Sequence, residues 1–258
     1  MTIGIRGLGL IGGSFEKAFL QAGYDTLNLK DATPDKIRSC EIIIVCLPPL
    51  MVAPWIQQHA NDFADNAIIT DAAGVKGVVC DALYELAKKS TWTYIGGHPM
   101  AGKERSGYKN ATADLFKGSS MILTPYPFTP LELVEHLKTV FTNIGFARCV
   151  ITTPAHHDKM IAYTSQLAHV VSSAYVQDAL SQSHFGFSAG SYQDMTRVAT
   201  VDPDIWTDLF LSNSQSLDAV LTRLIDRLDK YKMAIRSGDA SALRELLSEG
   251  QKAKESAK

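Results

Sequence analysis

The stretch Ile3-Gly4-Ile5-Arg6-Gly7-Leu8-Gly9-Leu10-Ile11-Gly12 decides the fold. A short strand-like run meets glycines spaced G-x-G-x-x-G. Helical spacing follows, with Phe15, Ala18, Phe19 and Ala22 on one face and Gly23 as a stop. In that context Gly7 makes the tight turn, and Gly9 leaves bare backbone for a pyrophosphate at the helix N-terminus. Gly12 lets helix and strand pack closely. Leu8, Leu10 and Ile11 belong to the same cofactor loop. The context carries the reading, because isolated glycines also serve plain turns.

The next strand is expected at Thr26 to Lys30, and a ribose-binding acid belongs ~20 residues beyond the glycines. Asp31, 19 residues after Gly12, fits. A carboxylate there repels a 2′-phosphate and favours NAD. The neighbouring Lys30 could instead hold that phosphate, so NADP stays open. Asp31 could also simply start the Asp31-Ala32-Thr33-Pro34 turn. Only 11 residues, Asp31 to Glu41, precede the apolar run Ile42 to Leu47. The helix and third strand of a full unit are therefore expected to be largely missing. Leu47-Pro48 closes that run and is assigned to the cofactor. Arg6, a charge at a covered strand end, needs a partner, which Asp31 or the cofactor could supply.

Further strands are expected at Ala67 to Asp71, Thr93 to Gly96, Met121 to Thr124 and Phe146 to Thr152. Helical segments Gly77 to Lys89 and Pro130 to Asn143 alternate with them. The fully apolar Ile42 run suits a parallel sheet covered on both faces. Together these predict a doubly wound α/β domain. After Pro154 the pattern is helical throughout, with one long helix from His156 to Leu180, more helix from Asp204 to Ser237, and a last one from Ala240 to Lys254. The boundary falls near residue 153, giving domains 1–153 and 154–258.

Composition sets outer limits. The chain has 258 residues, 46% hydrophobic and 20% charged, with a formal net charge of -2. That balance is globular, and no global positive field exists to hold nucleic acid or an anionic membrane. Cys40, Cys46, Cys80 and Cys149 show neither metal nor redox spacing. No signal peptide or run of ~20 apolar residues is visible, so a cytoplasmic protein with reduced cysteines is expected. His156-His157-Asp158 invites a metal reading, but adjacent helical residues point about 100° apart, and no metal is expected.

The segment Gly96-Gly97-His98-Pro99-Met100-Ala101-Gly102-Lys103-Glu104-Arg105-Ser106-Gly107 resembles the GxHPxxGxExxG stretch of prephenate and arogenate dehydrogenases. Leu167-Ala168-His169-Val170-Val171 and Asp194-Met195-Thr196-Arg197-Val198-Ala199, followed by Asp202-Pro203 and Trp206, support the match. With the glycine loop it spans about residues 3 to 230 in consistent order. The resemblance implies a Rossmann-like N-terminal domain and a helical C-terminal domain that forms a homodimer. It also implies NAD-dependent oxidation of a cyclohexadienol ring with loss of CO2, giving 4-hydroxyphenylpyruvate from prephenate or tyrosine from arogenate. His98 takes the place of the catalytic histidine, Arg197 of an arginine binding a substrate carboxylate, and His169 of a pocket histidine. Glu104 matches an acid near the pocket mouth, and Trp206 an aromatic approaching from the neighbouring subunit. The chemistry suits these types. A neutral histidine can take the hydroxyl proton, and an arginine fixes a carboxylate with two parallel bonds.

The chain also departs from the family. Asp71-Ala72-Ala73-Gly74-Val75-Lys76 has Gly74 where a substrate-contacting serine is usual. Gln166 replaces a histidine, and Gln193 a frequent lysine. An ordered water in the gap at Gly74, or Gln166 reaching across, is expected to stand in for the serine. The rivals are a β-hydroxyacid or pyrroline-carboxylate type dehydrogenase, and a catalytically silent cofactor-sensing protein on the same scaffold.

Overall fold

The computed structural model describes residues 1–103 and 105–256. They form two compact units, Met1–Asn213 and Ser214–Lys258. The first carries seven strands: β1 (Thr2–Arg6), β2 (Asp25–Asn28), β3 (Ile42–Val45), β4 (Ile68–Asp71), β5 (Thr93–Pro99), β6 (Ser120–Pro125) and β7 (Arg148–Ile151). They lie in the order β2-β1-β3-β4-β5-β6-β7. Helices α1 (Leu10–Gln21), α2 (Pro34–Arg38), α3 (Pro49–Gln58), α4 (Gly77–Lys89) and α5 (Leu131–Asn143) join them.

Period-two alternation sorts the inner strands between two cores. Ile43 and Val45 pack with Val52, Ile56, Val79 and Leu83 on one face. Ile42 and Ile44 pack with Ile3, Ile5, Phe15 and Phe141 on the other. Such two-sided burial is why β3 reads as an unbroken apolar run. Strand order reverses between β1 and β3, and a crevice opens at the carboxyl ends of strands at such a switch point.

Two details differ from the sequence expectation. Residues 29–41 hold no strand, as their number predicts, but the five-residue α2 survives there, so β2 forms the outer edge. The β5–β6 pair is antiparallel, with His98 opposite Ile122, in a sheet whose other pairs are parallel. A parallel return needs a crossover of a dozen or more residues, usually a helix. Between β5 and β6 the described residues form only two short 3₁₀ turns, Tyr108–Asn110 and Ala113–Phe116.

After β7 the elements are helical. α6 (Pro154–Ile161) begins at Thr153, whose side chain accepts the His156 N–H. It passes through a π turn, Ala162–Gln166, into α7 (Leu167–Val176). The expected single helix to Leu180 is thus interrupted and ends at Val176. α8 (Gly190–Thr196) and α9 (Pro203–Leu211) follow, the latter capped by Asp202. The second unit is a helical hairpin, α10 (Ser214–Ser237) and α11 (Ala240–Ser256). Gly238, at φ +67, turns the chain between them.

Candidate active site

The glycine loop occupies the switch point. Gly7 has φ +98, and a Cβ there would strike the Cys46 carbonyl; one on Gly12 would strike the carbonyl of Gly7. Gly9 faces open space, and no side chain caps the start of α1. Leading amide groups with a bare glycine beside them are what a pyrophosphate needs. Leu10 is buried, while Leu8 and Ile11 pack against one core and Leu47 against the other. Pro48 is exposed at the start of α3. Asp31 and Lys30 are both exposed in the turn after β2. Arg6 makes no ion pair with Asp31, so the partner expected from the sequence is not this carboxylate. Burial pushes the Cys46 thiol well above its ordinary pKa, which makes it a small apolar group rather than a nucleophile.

His98 stands near the end of β5, and a fully buried polar cluster fixes the strand beneath it. Lys76 and Asp71 are 0% exposed. The Lys76 ammonium pairs with Asp71 and donates to the Gly97 carbonyl at 2.7 Å. The Asp71 carboxylate also accepts from Ala73 N–H at 2.7 Å, Tyr94 O–H at 2.6 Å and Gly97 N–H at 3.2 Å. β4, the 72–76 loop and β5 are thereby tied to one carboxylate. The Gly96-Gly97 pair follows from crowding, since a Cβ would meet Thr124 Oγ1 at the first and the Asp71 carbonyl at the second.

The His98 ring continues this network. Its Nδ1 lies 2.9 Å from His157 Nε2, and His157 Nδ1 lies 2.7 Å from Asp158 Oδ1. The Asp158 carboxylate accepts the N–H groups of Lys76 and Gly77, both at 2.8 Å. The other edge of the ring looks toward Gly74, where a Cβ would stand 3.9 Å from His98 Nε2. Burial, reinforced by His157 and Lys76, holds the His98 imidazole well below the usual histidine range. Burial also lowers His157, against the opposing bond to Asp158. For Asp158, burial alone would raise the pKa, but the hydrogen bonds from His157, Lys76 and Gly77 hold it below normal.

A second group lies past the loop that follows β5. Gly102, Lys103, Ser106, His169, Arg197 and Trp206 line part of one cavity of about 380 Å³, within the range of small-ligand sites. Trp206 packs against His169, its ring tilted by 39° with centroids 3.7 Å apart. This contact is made within one chain. His169 Nδ1 bonds the Val198 carbonyl at 2.8 Å, and burial lowers its pKa. Arg197 is exposed at the end of α8. Glu104 lies outside the described residues.

Gly74 and Gln166 differ from expectation. Gln166 donates to the Leu209 carbonyl at 2.9 Å and accepts from Asn213 at 2.8 Å, so its amide is committed away from His98. The space beside Gly74 meets Leu209 Cδ2, 3.1 Å from where a Cβ would sit. An apolar methyl, and not the Gln166 amide, borders this space.

Sequence reasoning missed Lys76, Tyr94, His157 and Asp158. His157 carried a usable signal: it shares a helix face with Ile161, four residues on, while His156 points outward. A histidine on the buried face of a helix that starts at a sheet edge needs a partner.

Comparison with known proteins places the chain. Residues 10–151 match the model of the prephenate dehydrogenase nucleotide-binding domain, and residues 153–249 that of its dimerization domain. The cyclohexadienyl dehydrogenase of Zymomonas mobilis is 31% identical over 280 residues, covering 98% of this chain and 94% of the relative. An arogenate dehydrogenase from Synechocystis has a similar fold, with a TM-score of 0.84, 24% identity and full coverage of both chains. A prephenate dehydrogenase from A. aeolicus, solved with hydroxyphenyl propionate and NAD+, gives a TM-score of 0.83 at 25% identity, covering 100% and 98% of the two chains. With both halves matched in order, and with a paired histidine at the carboxyl edge of its sheet, this chain belongs to the prephenate dehydrogenase family of oxidoreductases.

Proposed function

We propose that this enzyme oxidises the ring hydroxyl of prephenate, or of its amino counterpart arogenate, with loss of CO2 and with His98 as proton acceptor. NAD-dependent oxidative decarboxylation in tyrosine biosynthesis is the activity of the family to which it belongs. The observation that carries the assignment to His98 is its bonding: Nδ1 is engaged by His157, while Nε2 faces Gly74 and is bonded by no described residue. A base needs a free lone pair directed at the proton it takes.

The loop fits a dinucleotide, since Gly7 and Gly12 admit no side chain and Gly9 is open. Gly7 to Gly12 would cradle the pyrophosphate, with Leu47 and Pro48 flanking it and Asp31 holding the ribose diol. The nicotinamide, when bound, accepts the hydride from the substrate. Arg197 pairs with a substrate carboxylate, and His169 and Trp206 line the pocket that Glu104 borders. The relative named cyclohexadienyl dehydrogenase supports the ring class but leaves the keto or amino side chain open.

The division at residue 153 separates cofactor binding from a helical domain through which the enzyme forms a homodimer. Support comes from the matched dimerization model and from Phe185 and Phe187, which are 94% and 93% exposed. No described helix is long and apolar enough to cross a membrane, and we place the enzyme in the cytoplasm.

The test offers purified protein each substrate with NAD and with NADP, following formation of the reduced cofactor. Turnover of prephenate or arogenate with NAD preferred is expected. Failure with both substrates would overturn the reading. Preference for NADP would remove Asp31 from its role and point to Lys30 or Arg6.

A further inference from the structure

We propose that His157 and Asp158 are positioning residues for His98, forming a chain that fixes its tautomer and shares the proton taken up at Nε2. The proposal rests on the reading of His98 as the proton acceptor. Asp158 accepts two backbone N–H groups, from Lys76 and Gly77, so it sits at α4's first turn as a held anion. A carboxylate can only accept here, so His157 donates through Nδ1. In a neutral imidazole the other nitrogen is then an acceptor. His157 Nε2 must receive its bond from His98 Nδ1–H. The tautomer of His98 follows: Nδ1 carries hydrogen, and Nε2 is bare toward Gly74.

The same chain answers an energetic difficulty. A histidine in this enclosure resists becoming charged, with Lys76 on one side and His157 on the other. The charged groups facing the pair are Lys76 and Asp71 from the β4–α4 side and Asp158 from α6. Lys76 and Asp71 neutralise one another, which leaves Asp158 as the anion in contact with the pair. As the hydroxyl O–H breaks, its proton moves to His98 Nε2. The Nδ1 proton can move along the 2.9 Å bond to His157 Nε2, so the positive charge settles against Asp158. With a nicotinamide bound, it would accept the C–H electron pair as hydride, and the C–O bond gains double-bond character. When the C–C pair released with CO2 completes the aromatic ring, the oxygen takes a proton back to become a phenol. No net proton is lost to water, so the chain needs only to hold one proton reversibly.

The experiment pairs kinetics with imidazole ¹⁵N NMR on the cofactor-free protein. His157→Leu removes both the acceptor and the proton store; His157→Gln keeps an acceptor but cannot take the proton. With the better substrate, His157→Leu should lower kcat roughly 10- to 10²-fold, less than the ~10²–10⁴-fold of losing a general base outright. KM should stay within about two-fold, the pattern of a group acting on the transition state. His157→Gln should recover much of the loss. In wild type His98 should be the Nδ1–H tautomer, reverting toward Nε2–H in the leucine variant. A wild-type Nε2–H tautomer overturns the proposal, as does wild-type kcat in a folded His157→Leu. Equal loss in the leucine and glutamine variants overturns proton sharing. His98→Asn in the same assay separates the readings: an inert His98 sinks the proposed function, while an effect there with none at His157 sinks only the chain. If the leucine variant does not fold, the glutamine variant and the wild-type tautomer still decide.

Discussion

The two ends of the candidate site are built on opposite principles. Beneath His98 the charged groups are buried and paired: Asp71 accepts four bonds, the Lys76 ammonium donates to two partners, and Asp158 accepts three. Around Arg197 the side chains are half or fully exposed, on short helices and the loop after β5. A proton transfer needs atoms held to a fraction of an ångström, which buried hydrogen-bond networks provide. Recognition of a carboxylate must admit and release a charged molecule, which a buried arginine could do only at a large desolvation cost. Rigidity is therefore concentrated where bonds change, and openness where the substrate enters.

The sharpest way to break that contrast is to remove the cation beneath His98. Lys76→Met strands the Asp71 carboxylate in the core, and stripping one partner from a buried pair costs about 3–5 kcal/mol. At roughly 2–4 °C per kcal/mol for a chain of this size, the melting temperature should fall by about 10 °C. Arg197→Ala should barely move it. Calorimetry of both variants decides; equal melting points would show that the proton end is no more tightly built than the recognition end.

The next effect separates the two ends kinetically. His98→Asn should lower kcat by roughly 10²-fold, since only the transition state needs the base. Arg197→Ala should chiefly raise KM, by about 10- to 150-fold for a lost charged hydrogen bond of roughly 1.5–3 kcal/mol, because the carboxylate is bound in both states. The pH profile follows from the lowered His98 pKa. A base works unprotonated, so kcat/KM should be flat through neutrality and fall only below the ordinary histidine range. An acid limb near the unperturbed value would mean that His98 is more solvated than its surroundings imply.

Much of the sheet and the cofactor loop was legible in the sequence, and the reason is physical. Strands buried on both faces must be apolar, so Ile42 to Val45 announces itself. A backbone that touches another carbonyl must be glycine, so Gly7 and Gly12 do too. The short Asp31 to Glu41 spacing predicts the trimmed edge. The antiparallel β6 was not foreseen, although the absence of any helix-length amphipathic segment between Gly97 and Met121 was a signal. His157 and Lys76 were missed because their meaning depends on partners 59 and 21 residues away, which no local periodicity encodes. Trp206 against His169 is likewise a contact across separate helices.

The smallest expected effect falls where the two ends meet, at Gly74. The family's serine would place a hydroxyl within reach of His98, since a Cβ at Gly74 lies 3.9 Å from Nε2. Gly74 does not adopt a left-handed φ, so a side chain brings no backbone strain. The obstacle is Leu209 Cδ2 at 3.1 Å, which must yield by a few tenths of an ångström. Its main chain is fixed through the Gln166 bond to its carbonyl, but its half-buried side chain can turn about its own torsions. A new neutral hydrogen bond is worth about 0.5–1.5 kcal/mol, or roughly two- to ten-fold. Gly74→Ser should therefore leave kcat/KM equal or raise it by less than about ten-fold, with the melting temperature nearly unchanged. Adding Leu209→Ala tells crowding from chemistry. If the serine variant loses ten-fold or more and the double variant recovers it, Leu209 was the sole obstacle. If the loss persists with Leu209 shortened, the hydroxyl itself is unwelcome beside Nε2. The Gly74 side of His98 would then be shaped for a substrate that fills the serine's place, and neither prephenate nor arogenate would be the natural one.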